Sequence, residues 1–149
     1  MSELKSLPRL RDGALRLADW LSDPQPASAG ALNLFAGTVR NIHEGRAVSG
    51  MRYHAHRGLA EARLREIEAA TEARFHVSAL VAHAVGKLEI GEISVIVVIR
   101  GGHRAEGFEA CRWAIDTIKQ AVPIWKEEHY LDGEARFLEG VPIQPVESL

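Results

Sequence analysis

Ile93-Ser-Val-Ile-Val-Val-Ile-Arg-Gly-Gly-His-Arg104 runs from a β-branched stretch through a double glycine into a helical pattern. The first eight residues read as a strand covered on both faces, because apolar residues are adjacent as well as alternating. Beyond Arg104, Phe108, Cys111, Ile115, Ile118 and Val122 recur at three- and four-residue spacing and predict an amphipathic helix. Pro123 ends it, since proline lacks the amide donor and clashes with the preceding turn.

Working upstream, Ala79 to Val85 reads as a second strand, joined to the first through Gly86-Lys-Leu-Glu-Ile-Gly91. Ala60, Leu64, Ile67 and Thr71 mark one face of a helix from about Gly58 to Phe75. Val48 to Ala55 is a further strand, and Asn41 to Gly45 a turn or loop. The segment from Ala31 through Val39 reads as a strand with both faces at least partly covered. Ser22 to Gly30 is a loop by composition, and Ala14 to Leu21 has helical spacing. Downstream, Asp132-Gly133 between Glu128-His-Tyr-Leu131 and Glu134-Ala-Arg-Phe137 signals a hairpin. The order helix, two strands, helix, two strands, helix, hairpin favours α+β over a doubly wound parallel sheet. A chain of 149 residues suits one domain, 1–149, with no internal repeat or linker.

Composition narrows the function classes. Lys+Arg 18 against Asp+Glu 20 gives a formal charge of -2, without the basic stripe expected of a nucleic-acid partner. The longest apolar run, Ile93 to Ile99, is too short to span a bilayer, and no secretory signal is evident. One cysteine excludes an internal disulfide, which fits a reducing cytosol.

Two stretches carry chemistry. The Gly101-Gly102-His103-Arg104 turn suits an anion, because free amides at a helix start carry partial positive charge and Arg104 adds a planar cation. On these residues alone the simpler reading is an ordinary glycine turn with His103 as a cap and Arg104 in solvent. Lys119 sits at the edge of the apolar stripe, where partial desolvation would lower its pKa, and Lys126 follows Pro123-Ile-Trp125, whose indole can wall a pocket. Arg40, at a strand end, can reach the same region. His54 and His56, two apart on an expected strand, share a side and raise a metal-dependent hydrolase as an alternative. Cys111 lies on the apolar stripe and reads as a buried thiol rather than a nucleophile. His43, His76, His83 and His129 are scattered and say little.

Phe35-Ala-Gly-Thr-Val-Arg-Asn41, Gly86-Lys-Leu-Glu-Ile-Gly-Glu92, Gly102-His-Arg104 with Phe108-Glu-Ala110, and Lys119 through Pro123-Ile-Trp-Lys126 together resemble the catalytic (large) subunit family of molybdopterin synthase, from about Gly30 to Gly140. The resemblance implies an α/β hammerhead-like fold with an added antiparallel β-subdomain. It implies conversion of cyclic pyranopterin monophosphate to molybdopterin, with sulfur supplied as the C-terminal thiocarboxylate of a small ubiquitin-like subunit ending in Gly-Gly. It also implies a homodimer within a heterotetramer, a cytoplasmic setting, no bound cofactor and no metal. By resemblance, Lys119 and Lys126 are catalytic, and Thr38, Val39, Arg40, His103, Arg104 and Glu128 bind substrate. Phe35 and Trp125 wall the pocket or meet the partner's tail. The chain departs from the family pattern at Ala84, at Tyr53-His-Ala-His56 and at Phe137. A non-catalytic module that binds an anion or pterin would share these features. Arg104 and Lys119 are fifteen residues apart, about 22 Å along a continuous helix, so the two groups of residues are expected to meet across a dimer.

Overall fold

The computed structural model describes residues 3–138 and 142–149, so the end of the resemblance at Glu139 and Gly140 lies outside the described residues. In chain order the elements are β1 (Leu10–Asp12), α1 (Leu17–Trp20), β2 (Ala31–Thr38), β3 (Ile42–His43), β4 (Arg46–Ala55), α2 (Arg57–Phe75), β5 (Ser78–Glu89), β6 (Ile93–Gly101), α3 (Arg104–Ala121), β7 (Ile124–Tyr130) and β8 (Ala135–Phe137). Among the described residues the strands form one sheet in the order β2-β6-β5-β4-β7-β8, with β1 beside β5 and β3 beside β4. All pairs are antiparallel except β1 with β5. The α+β reading holds.

Strand β5 organises the rest. Its first half, Ser78 to His83, pairs with β6, while β1 lies along His83 to Val85. At Gly86 (φ 93°) the neighbour changes, and Gly86 to Glu89 pair with β4. The segment expected to link two strands is therefore mostly strand, because Gly86 takes up the change of direction without ending the ladder. One long strand thus joins the β2-β6 part of the sheet to an antiparallel β4-β7-β8 part.

Helices α2 and α3 cover one face, where Leu64, Ile67, Val81, Val97 and Ile99 are fully buried. Each such side chain contributes roughly 1.5–3 kcal/mol over an exposed one. The other face packs Leu4, Leu15 and Trp20 against Leu80, Ile96 and Val98. Two expectations change here. Only Leu17–Trp20 of the first predicted helix is helical, since Leu15 bonds to Ile93 as an isolated bridge. Strand β2 lies at the sheet's edge, and Leu32 (51% exposed) and Leu34 (40%) are largely open rather than covered.

The helix ends follow their residues. His56 Nδ1 accepts from the Leu59 amide at 3.3 Å at the start of α2, and His76 closes it in the left-handed conformation. Glu106 Oε1 accepts from the His103 amide at 2.7 Å at the start of α3. The buried stripe of α3 is Gly107, Ala110, Cys111, Ala114, Thr117, Ile118 and Ala121. Phe108, expected on that stripe, is 65% exposed. The helix lies close to β2, where Asn33 fills the space a side chain at Gly107 would need, so small residues face the sheet.

Candidate active site

Where the C-terminal turn of α3 meets β7, two cavities share a wall. The first, of about 100 Å³, is lined by Phe35, Thr38 and Arg40 from β2 and the turn after it, Tyr53 from β4, Ser94 from β6, Lys119 from α3, and Lys126 and Glu128 from β7. The second, of about 300 Å³, is lined by Tyr53, His83, Ile118, Lys119, Trp125, Lys126 and Leu138. Lys119, Lys126 and Tyr53 face both.

Local structure delivers each group. The pairing of β2 with β6 shifts between Gly37 and Thr38, and a bulge of this kind re-aims the residues that follow it. Val39 is buried, with its amide on the Glu92 carbonyl and its carbonyl accepting from the Gly91 amide, so it lines neither cavity and anchors the turn that carries Arg40. Pro123 releases the chain from α3 directly into β7, which puts Lys126 opposite Tyr53 of β4. That short passage sets the two lysines seven positions apart on different elements yet around one space.

The charges are uneven. Arg40, Lys119 and Lys126 stand against one carboxylate, Glu128, which is 3% exposed. Glu128 Oε1 lies 3.6 Å from His43 Nδ1, while Oε2 has no hydrogen-bond partner among the described residues. Lys119 has a lowered pKa, first because the walls crowd it out of water and then because Lys126 is near. By surface area Lys119 is nonetheless exposed, so the desolvation is partial. Burial raises the Tyr53 phenol, opposed by a hydrogen bond with Ser94 and reinforced by Glu128. Such an arrangement suits an anion, with two amines facing the space and one carboxylate available for N–H or O–H donors.

Other residues fall elsewhere. His103 and Arg104 are exposed at the opposite end of α3 and line neither cavity. His54 is stacked near Trp125 (centroids 6.1 Å, planes 13° apart) and lies 5.5 Å from Phe137. His56 is past the end of β4 and caps α2, so the two histidines do not share a strand face, which removes the geometry of the hydrolase alternative. Among the described residues no three His, Cys, Asp or Glu side chains gather in a way that could hold a metal. Cys111 is buried, and burial raises its thiol pKa. Sequence reasoning missed Tyr53 and His83 as cavity walls. His83 sits in a strand buried on both faces, where periodicity gives no signal. A larger open depression of about 920 Å³, between residues 3–7, Trp20 to Pro26 and Arg100, contains none of these groups.

Comparisons with known proteins agree with one another. A relative named molybdopterin synthase catalytic subunit, from Halalkalibacterium halodurans, is 40% identical over 107 residues, 71% of this chain and 69% of the relative. The protein of that name from Oryza sativa subsp. indica is 42% identical over 123 residues, 82% of this chain and 64% of the relative. The crystal structure of molybdopterin synthase from Staphylococcus aureus superposes with a TM-score of 0.82 at 25% identity, over 89% of this chain and 96% of that one. A structure described as a complex of subunits 1 and 2 of molybdopterin-converting factor from Helicobacter pylori shares the fold, with a TM-score of 0.73 at 21% identity over 91% of this chain and 93% of that one. The family described as MoaE protein matches residues 11–121, and the chain belongs to that family.

Proposed function

We propose that this chain is the subunit that installs sulfur on cyclic pyranopterin monophosphate in molybdenum-cofactor biosynthesis, taking it from the thiocarboxylate of a small partner subunit. The observation that supports this most is the wall shared by the two cavities. A polar, cationic space and an apolar-walled space meet at Lys119 and Lys126. In this reading the substrate lies with its phosphate toward Arg40 and its polar edge toward Thr38 and Glu128, beside Phe35. The partner's tail enters past Trp125, so that its thiocarboxylate and the pterin side chain meet between the lysines. The lysine ammoniums then guide the sulfur nucleophile and stabilise the negative charge that develops as oxygen is displaced. Names of relatives and the two-subunit Helicobacter pylori complex favour the partner.

The polar cavity, at about 100 Å³, is smaller than the roughly 300–1,000 Å³ usual for a ligand site. We therefore read it as a half-site completed by a second copy of the chain, with His103 and Arg104 of that copy on the substrate phosphate. Helix α3 is unbroken from Arg104 to Ala121, which keeps these residues far from Lys119 in one chain. The setting is cytosolic, and no described helix is long and apolar enough to cross a membrane.

The test supplies thiocarboxylated small subunit and cyclic pyranopterin monophosphate and measures dithiolene formation. Lys119→Ala is expected to make no product while keeping its fold. Mixed dimers of Lys119→Ala with Arg104→Ala are expected to regain activity that neither variant has alone. Retained turnover by Lys119→Ala would overturn the catalytic assignment; no complementation would overturn the shared site. A wild-type chain that binds substrate without turnover would favour the non-catalytic binding module.

A further inference from the structure

Arg100 is the one charged residue of β6, and it is 7% exposed. It pairs with Leu32 of β2 and Ser78 of β5, and its side chain leaves the sheet on the face that carries Trp20, Leu80 and Val98. There it lines the open depression of about 920 Å³, which shares no residue with the two lysine cavities. Nη1 donates to the Asp23 carbonyl at 3.0 Å and Nη2 to the Leu21 carbonyl at 3.5 Å. Among the described residues Arg100 makes no ion pair, and Nε has no hydrogen-bond partner. Arg9, the other buried arginine, is held differently. Its Nε, Nη1 and Nη2 all donate, and Glu68 supplies the counter-charge.

We propose that Arg100 and the walls around it form a binding site for a small organic carboxylate with a flat apolar body. A buried charge is ordinarily paired, because neutral carbonyls alone do not replace the water it has lost. The other charged groups of the depression leave this need unmet. Lys5 is bonded to Glu68 and to the Ala79 carbonyl, and Glu3 is exposed at the rim. Asp23 presents its main-chain carbonyl to Arg100 and forms no ion pair with it. A planar guanidinium fork matches the edge of a carboxylate. One cation suits one negative charge, whereas a phosphate dianion would call for more donors. Ser78 stands directly opposite Arg100 in the ladder, which puts its hydroxyl on the same face, beside the fork. The rest of the lining is apolar, with Leu4, Trp20, Leu80 and Val98 as walls. A roomy concave space with apolar walls and a few convergent polar groups is the usual make-up of a small-molecule site.

The experiment titrates 2-naphthoate, and separately its uncharged analogue 2-naphthamide, into the full chain and follows both by ¹H–¹⁵N NMR. Neither substrate nor partner subunit is needed. The carboxylate is expected to move the Trp20 indole and Arg100 Nε–H signals. It should bind about tenfold tighter than the amide or better, the equivalent of one charge-assisted hydrogen bond. Arg100→Met keeps an apolar stem and is expected to bind the two compounds alike. Equal binding of both by the wild type would reduce the site to an apolar hollow and overturn the proposal. Shifts centred on Lys119 and Trp125, no shift at millimolar ligand, or discrimination kept by Arg100→Met would overturn it too. Should Arg100→Met not fold, the wild-type comparison and the location of its shifts decide.

Discussion

His43 Nδ1 stands 3.6 Å from Oε1 of Glu128, which sits on β7 and is almost fully buried beneath the short β3–β4 hairpin. One carboxylate oxygen is thus directed to the protein, and the other, without a partner among the described residues, belongs to a residue lining the polar cavity. A buried acceptor left open in this way is suited to a ligand donor. Glu128→Gln keeps the shape and removes the charge. It is expected to raise the KM for the substrate proposed above about tenfold or more, the equivalent of one charge-assisted hydrogen bond. Melting temperature should stay near wild type, and steady-state kinetics with a thermal melt check both.

The lysine pair predicts a coupling. Lys126 contributes to the lowered pKa of Lys119, so removing its charge with Lys126→Met should raise the Lys119 midpoint. The sign follows because a like charge nearby disfavours the protonated form. NMR titration of labelled lysine measures it, and a midpoint that falls or stays still would contradict the coupling.

His83 predicts a dependence of stability on pH. Its pKa is lowered from 6.5 to about 4 in the folded chain, chiefly by burial. The unfolded chain therefore binds a proton that the folded chain refuses between these values. The contribution to stability is present above pH 6.5 and lost as pH falls toward 4, amounting to about 3 kcal/mol. Urea unfolding at pH 4.5 and pH 7 should show most of this difference in the wild type and much less of it in His83→Phe.

Arg9 and Glu68 predict a stability effect far from the cavities. Arg9 is fully buried, and its Nε and Nη2 donate to the two oxygens of Glu68. Its remaining donors bond to the carbonyls of Leu4, Lys5 and Leu7, which pins the N-terminal segment to α2. Arg9→Met leaves the buried Glu68 carboxylate with only the half-buried Lys5 and the Val81 amide, and should lower stability by about 3 kcal/mol. Glu68→Leu in the same chain should restore part of that, since the buried charge is gone, although the Val81 amide and Lys5 then lose an acceptor. Denaturant midpoints of the single and double variants test this.

The residues of α3 show what was readable. Its extent, its stop at Pro123 and the position of Lys119 at the stripe's edge are consequences of local chemistry, and the helix ends at Ala121. Which residues face the sheet was not readable from apolarity, because Phe108 is large and apolar yet exposed, while Gly107 and Ala114 are buried. Close approach to β2 selects size over hydrophobicity there. Gly86 makes the same point for strands: glycine reads as a break, but the ladder continues with a new neighbour. The Asp132-Gly133 turn was legible, and β7 and β8 flank it. β1 was not, since three residues carry little pattern of their own.

The sequence by itself determined the α+β class, most element positions, and Lys119, Lys126 and Arg40 as groups of interest, because periodicity, turn chemistry and charge are local properties. Tertiary structure decided that these three share a wall with Glu128, that Tyr53 and His83 join them, and that His103 and Arg104 stand apart. The physical reason is that strand order and helix length set distances between residues remote in sequence. No local pattern records that β5 passes from β6 to β4, or that one unbroken helix keeps its two ends from serving one small ligand.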